Sequence, residues 1–246
     1  MTSSHKSQFD MDFHLHQQHL KLKGLQPKTI QAYTRAMSRI GEYFDFQVYD
    51  LSEHQLTSYF ESLLSSHSWS TVKLDLYGLK FFYQHVLNRE WTHVNLIKPP
   101  NATRLPDILS VEEAMTLFMN TRKLSYRVFF FTTYSMGLRL GESLRLEVGD
   151  IDSLRCRVHI RDAKGNKDRF VPLPSNTLSV LRRFWAIHRH PTLIFPNRKA
   201  GLKGAASAPS PLDRGGVQAS MRQVVKDCGF KKRSRYIPCD IVTQHI

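Results

Sequence analysis

The sequence predicts two domains: a bundle of four helices, then a mixed α/β domain that is mainly α with a small β-hairpin sheet. Three observations carry this. Apolar residues recur at three- and four-residue spacing through residues 9–95, the period that lines one face of a helix. The stretch Lys98-Pro99-Pro100-Asn101-Ala102-Thr103-Arg104-Leu105-Pro106 then places three prolines where no apolar period continues, which suits neither a helix nor a central strand. Beyond it, helical spacing is interrupted by two β-rich runs, 155–161 and 168–173, joined by Ala163-Lys164-Gly165-Asn166-Lys167. Gly165-Asn166 supplies the positive φ angles that a hairpin turn requires. The boundaries follow: a helical domain over 9–95, a linker over 96–106 and a second domain over 107–246.

Each element has its own signal. Pro27 opens a helix that carries Ile30, Tyr33, Met37, Ile40 and Phe44 on one side. Ser52-Glu53-His54-Gln55 fits a capping box, followed by the stripe Leu56, Tyr59, Phe60, Leu63 and Leu64. Ser70 is placed to cap a further helix with Leu79, Phe82, Tyr83, Val86 and Leu87 facing inward. These aromatic stripes suit a core better than a base-stacking platform. Ser110-Val111-Glu112-Glu113 is a second capping box, opening a helix to about Asn120. Val128, Phe129, Phe130 and Phe131 mark a mostly buried helix over 125–136, with Gly137 as its stop. Leu178, Leu181, Phe184 and Trp185 mark another helix, Leu193-Ile194-Phe195 reads as a strand, and Gly215 to Gly229 brackets a last helix.

Composition narrows the function classes. The chain carries 35 Lys and Arg against 21 Asp and Glu, a net charge of +14. The halves differ: residues 1–100 hold 10 basic and 9 acidic side chains, and residues 101–246 hold 25 and 12. A solvated basic surface would account for some of this, but the asymmetry points to a polyanion. Cys156, Cys228 and Cys239 lie far apart and have no metal-ligand spacing. His14, His16 and His19 lack nearby cysteines or carboxylates at ligand spacing and read as the polar face of a helix. No apolar run nears the ~18 residues that span a bilayer, and the N-terminus lacks a signal-type stretch, so a cytoplasmic protein is expected.

The most specific stretch is Thr133-Tyr134-Ser135-Met136-Gly137-Leu138-Arg139-Leu140-Gly141-Glu142. Gly137 ends one helix and the chain turns directly into the next, so Arg139 projects from a rigid support. Its planar fork can hold two phosphate oxygens at once. Glu142, three residues on, is placed to fix that guanidinium. The plain alternative is an exposed Arg–Glu pair of little energetic value. Lys167 and Arg169 lie on the hairpin, where they are expected to touch a DNA backbone without reading its sequence.

These residues resemble the tyrosine recombinase (phage integrase) family, Xer-type and integron integrases among them. TYSMGLRLGESLRLEVGDID is similar to the family's first active-site box, with Ser143 where Leu is usual. DAKGNKDRFVPLP is similar to its G-K-G-x-K-x-R-x-V-P-L hairpin, with Ala163 for the first Gly. LKGLQPKTIQAYTRAMSRIGEYF resembles the opening helix of the family's core-binding, SAM-like domain, and RLPDILSVEEAMTLF the entry to its catalytic domain. The resemblance implies site-specific DNA integration and recombination on double-stranded DNA, by homo-oligomers assembled on it. It implies attack by a tyrosine hydroxyl on a scissile phosphate, a 3′-phosphotyrosyl link and a released 5′-hydroxyl, with no metal, nucleotide or other cofactor. Arg139 would stabilise the phosphorane-like charge, Lys164 would protonate the leaving oxygen, and Glu142 would be a structural support.

The resemblance also implies groups that this sequence does not show. No His-x-x-Arg follows Lys164; His188-Arg189-His190-Pro191 has the wrong spacing and reads as surface charge. Tyr236 stands where that box should begin, too early for a nucleophile. One allowed coding of residues 236–245, read one base earlier, gives I-H-P-L-R-H-C-Y-A-T, the family's missing box. The expectation is therefore a catalytic domain incomplete at its C-terminal end, out of frame from about residue 235, in a chain that binds DNA weakly or does not fold fully, and does not cleave it. The alternatives are a non-catalytic DNA-binding regulator, and an enzyme whose missing residues come from a partner or a programmed frameshift.

Overall fold

A computed structural model of the chain describes residues 2–91, 109–163, 167–199 and 201–230. The expected linker over 96–106, Lys164 with the turn Gly165-Asn166, and the tail from 235 lie outside the described residues. The chain divides into two compact units, Met1–Asn101 and Ala102–Ile246.

The first unit is built from four helices: α1 (Thr2–Leu22), α2 (Pro27–Tyr43), α3 (Glu53–Ser66) and α4 (Trp69–His85). The Ser52–Gln55 capping box forms as the sequence requires, with Ser52 Oγ accepting from the Gln55 amide at 3.2 Å and Gln55 returning to the Ser52 amide at 2.9 Å. The α4 helix starts earlier than the Ser70 cap predicts. Ser68 is its N-cap residue, and Ser68 Oγ lies 3.2 Å from Thr71 Oγ1. Met37, Ile40, Leu56, Tyr59, Phe60, Leu63, Leu79, Phe82 and Tyr83 are buried together, so these stripes are core.

Two features of this unit were not legible in the pattern. Asp75 on α4 is buried and accepts from Arg39 Nη1 at 2.6–2.7 Å and from the Tyr59 hydroxyl at 2.8 Å. Helix α1 packs so closely on α2 that a Cβ at Gly41 would lie 2.6 Å from the Phe9 ring, which leaves room only for glycine. The expected polar face of α1 needs a correction as well. His16 is fully buried against Phe81 and Phe82, with ring centroids 5.5 and 5.7 Å away. Burial lowers its pKa to about 4, against a smaller opposing effect of the Tyr33 backbone. Histidine's apolar body lets it fill a core position, and α1 needs one there between Phe9 and Leu20, both buried.

The second unit is mostly helical around one small sheet. Helices α5 (Val111–Asn120), α6 (Leu124–Ser135) and the short α7 (Leu140–Leu144) come first. A 3-10 turn over Val148–Asp150 leads into strands β1 (Ile151–Asp152), β2 (Arg157–Ala163) and β3 (Lys167–Pro172), paired antiparallel in the order β1-β2-β3. Helix α8 (Ser175–His188), a 3-10 turn over Lys203–Ser207 and helix α9 (Arg214–Asp227) complete it. Val158 pairs with Val171 and Ile160 with Arg169 across the hairpin, with an irregularity before Ala163 meets Lys167. The core gathers Leu117, Phe129, Phe130, Val158, Ile160, Leu181, Phe184, Phe195 and Val224.

The segment after α8 departs from the reading in two ways. Leu193-Ile194-Phe195 forms no strand; Leu193 makes an isolated bridge to Glu147. His188 and His190 are not surface charge, since both are buried. His190 Nδ1 accepts from the Thr192 and Leu193 amides at 3.1 and 2.9 Å, and its Nε2 lies 3.0 Å from the Ala208 carbonyl oxygen. His188 Nδ1 accepts from the His190 amide at 3.1 Å. Burial first, and the neighbouring His190 second, hold the His188 pKa below its usual value. The imidazoles supply acceptors to amides that a loop without a ladder would leave unpaired.

Candidate active site

The site is assembled where α6 turns into α7 against the β2–β3 hairpin. Gly137 has φ +63°, the left-handed conformation that ends α6 without steric cost. Leu138 and Leu140 are buried on either side of Arg139 and pin the turn, while the Arg139 side chain stays 42% exposed. Glu142 sits at the third position of α7, inward, with its side chain only 3% exposed. It reaches back to accept from the Arg139 amide at 2.8 Å through Oε2 and from Arg139 Nη1 at 2.9 Å through Oε1. One carboxylate therefore caps the helix start and orients the guanidinium.

Ser143, the departure from the family's usual Leu, is fully buried and satisfied. Its Oγ lies 2.9 Å from Thr133 Oγ1, and that hydroxyl lies 2.7 Å from the Phe129 carbonyl oxygen. The serine thus fastens α7 to α6 by a hydrogen bond, where a leucine would do so by packing.

A further partner enters from β3. Arg169 Nη2 donates to Glu142 Oε2 at 2.8 Å, so two arginines from distant segments share one buried carboxylate. The sequence reading put Arg169 on the hairpin as a DNA contact and did not pair it with Glu142. The period-two rule held the signal: Arg169 shares a face of β3 with Val171, which packs on the core. Lys167, the other expected contact, is exposed at the start of β3. Lys164 precedes it in the undescribed turn.

The hairpin is braced elsewhere too. Arg161 on β2 pairs with Asp150 at 2.7 Å and Glu147 at 3.4 Å. Arg157 stacks over Phe170 at 4.2 Å and binds Asp152 at 3.1 Å. The Arg155 amide, then the Arg155 and Arg157 side chains, hold the Asp152 carboxyl below its ordinary range. Among the described residues no three His, Cys, Asp or Glu side chains gather as a metal site, and no helix is long and apolar enough to cross a membrane. Arg139 gives Nη1 to Glu142, and its half-exposed guanidinium carries further N–H donors.

Comparison with known proteins bears on this arrangement. Residues 106–237, more than half of the chain, match the description "Phage integrase family", and residues 13–93 match "Phage integrase, N-terminal SAM-like domain". The chain belongs to the phage integrase family. Its curated relatives include a tyrosine recombinase XerA of Thermococcus kodakarensis, 30% identical over 68% of this chain and 58% of that protein. A tyrosine recombinase of Thermosipho africanus is 25% identical over 75% of this chain and 65% of that protein. The chain spans 43 to 65% of the length of the first curated relatives it matches. In fold it is similar to a lambda integrase dimer bound to a COC′ core site, with a TM-score of 0.71 over 94% of this chain and 81% of that one, at 14% identity. It is also similar to the XerH site-specific recombinase bound to difH substrate, with a TM-score of 0.59 over 83% of this chain and 63% of that one, at 17% identity. As an integrase-family chain, it carries the pair Arg139–Glu142 on the α6–α7 turn and Arg169 on the following hairpin, joined through one carboxylate.

Proposed function

We propose that this chain is built for site-specific strand exchange on double-stranded DNA of the tyrosine-recombinase kind, in the cytoplasm and as a homo-oligomer on its site, and that as it stands it binds that DNA without cleaving it. The domain over 9–95 serves as the core-binding domain, 96–106 as its linker and 107–246 as the catalytic domain. The observation that carries the reading is the half-exposed Arg139 guanidinium held on a buried carboxylate at a rigid helix turn, beside the hairpin that bears Lys164. Arg139 donates to the non-bridging oxygens of the scissile phosphate and stabilises the charge that grows there. In a chain that carried the nucleophile, a tyrosine hydroxyl would lose its proton to solvent as its oxygen bonds phosphorus, the bond from phosphorus to the 5′-oxygen would break, and Lys164 would protonate that leaving oxygen. Glu142 stays ionised and holds Arg139. Lys167 meets the DNA backbone and fixes register.

The attacking tyrosine and the His-x-x-Arg pair do not follow Lys164 in the 246 residues. The family match stops at residue 237, beside the point near 235 where the sequence leaves the family's pattern. We read this as a slip of reading frame, and we expect the 246-residue chain to bind duplex DNA but form no covalent link to it. Affinity should fall by about 0.9 log units per tenfold rise in salt for each phosphate contacted, and Arg139→Ala should lower that slope. Incubation with a nicked duplex of the cognate site should leave no protein–DNA adduct. If the locus continues in the shifted frame to a nucleophilic tyrosine, a one-nucleotide correction near the Arg235 codon should give a longer chain that forms the adduct, and Lys164→Ala should then impair it. Salt-independent binding, or an adduct from the uncorrected chain, would refute the reading.

A further inference from the structure

Glu142 holds two cations but carries one charge. Its Oε1 takes Arg139 Nη1, and its Oε2 takes both the Arg139 amide and Arg169 Nη2. We propose that Arg169 is a positioning residue, which acts on DNA through Glu142 and Arg139 and makes no phosphate contact of its own. This inference rests on the proposed function.

Three observations support it. The first is where Arg169 points. It lies opposite Ile160, which is 2% exposed, on the face of β3 that carries Val171 toward the core. Its Nε is buried and has no hydrogen-bond acceptor among the described residues, so that N–H is shielded from a ligand. Its Nη2 is already given to Glu142, and although the side chain is 36% exposed, its Nε and Nη2 are thus shielded or committed.

The second is electrostatic. Arg139, Glu142 and Arg169 together carry a net charge of +1. Without Arg169 the carboxylate would be shared with no other cation, and the remaining Arg139–Glu142 pair would be neutral. A phosphate would then approach a dipole where it now meets a net positive group, and both oxygens of Glu142 would be available to Arg139. Coulomb attraction in a partly buried site falls off slowly enough for this difference to be felt.

The third is mechanical. Arg169 stands two residues after Lys167, midway along β3 opposite Ile160, so the Glu142 bond ties the middle of the hairpin to the α6–α7 turn. The β2–β3 ladder and the arginine that meets phosphate are thus set by one carboxylate. Lys167 is exposed and has no such tie in the described structure, which makes it the natural control.

The experiment is a pair of double-variant cycles on the 246-residue chain, read as affinity and salt slope for a mixed-sequence duplex. Arg139→Ala and Lys167→Ala should combine additively, each lowering the slope by about 0.9. Arg169→Ala alone should weaken binding, yet in the Arg139→Ala background it should give no second slope decrement, because it removes no phosphate contact. Arg169→Gln keeps a donor toward Glu142 but no charge, and takes its place in the same cycle if Arg169→Ala does not fold; Arg169→Lys, which keeps the cation, should retain most of the affinity. An additive loss with a second slope decrement of about 0.9 would make Arg169 a direct contact and overturn the proposal. A wild-type chain without salt-dependent binding would instead overturn the proposed function. The positioning role would then be decided by a melting cycle of Arg169→Ala with Glu142→Gln. Coupled shifts in Tm support it, and additive shifts overturn it.

Discussion

Replacing Glu142 by glutamine removes one charge and almost no volume, so it isolates the electrostatic role of that carboxylate. Glu142 accepts three hydrogen bonds, two from guanidinium groups and one from the Arg139 amide, with its side chain 3% exposed. Glutamine can still accept through one oxygen, but its –NH2 must then face a guanidinium or the amide. Each hydrogen bond to a charged group contributes about 1.5–3 kcal/mol, and stranding a partner in a buried pair costs about 3–5. The arginine side chains are 42% and 36% exposed, so water takes up part of their charge and the lower values apply. The expected loss is about 2–3 kcal/mol. In a domain of roughly 150 residues that corresponds to a fall of about 5–10 °C in Tm. The assay is thermal and urea unfolding of wild type and Glu142→Gln, read at a single wavelength for the second unit. A shift within 1–2 °C, or ~0.5 kcal/mol, would refute the reasoning and reduce the three residues to a surface pair and a bystander.

Two further predictions concern the first unit. Asp75→Ala strands both the Tyr59 hydroxyl and Arg39 beside a cavity, and should cost about 3–4 kcal/mol by urea unfolding; a change below ~1 would contradict a structural role for that carboxylate. His16 has a folded pKa of about 4 against 6.5 unfolded, so the unfolded chain binds the extra proton between those values. Its stabilising contribution is complete above pH 6.5 and should be lost as pH falls toward 4, by roughly 3 kcal/mol in all, and His16→Phe should flatten that part of the stability profile.

The helices were legible because their apolar residues repeat with helical period and their starts carry capping boxes. Ser52–Gln55 and Ser110–Glu113 form the bonds the sequence describes. The Arg139–Glu142 pair was legible because three residues on a helix start bring the two side chains together whatever the rest of the chain does. Arg169 on Glu142 was not read, because it depends on how a hairpin docks on a turn 27 residues away. His16, His188 and His190 were misread for a related reason. Histidine's place in a core is set by the neighbours that accept its ring and not by its own polarity, and those neighbours come from other segments. The strand expected at 193–195 failed because an apolar run of three residues shows what is buried but not what it pairs with. Lys164 is known from its place in the motif alone.

The His190 ring has a consequence for how this chain can vary. Between residues 188 and 195 the backbone leans on residues 146–148 through two bonds, the Val148 amide to the Thr192 carbonyl at 2.7 Å and the Ile194 amide to the Leu146 carbonyl at 3.1 Å, and one imidazole fills two successive amides while its far nitrogen reaches the Ala208 carbonyl. A ladder spreads its burden over many positions, any of which can drift. Here that short contact leaves much of the turn's shape to a single side chain. An exchange at exposed Pro191 leaves the ring's bonds intact, whereas loss of the ring, or an insertion at 191 that moves the Thr192 and Leu193 amides off it, frees both amides at once.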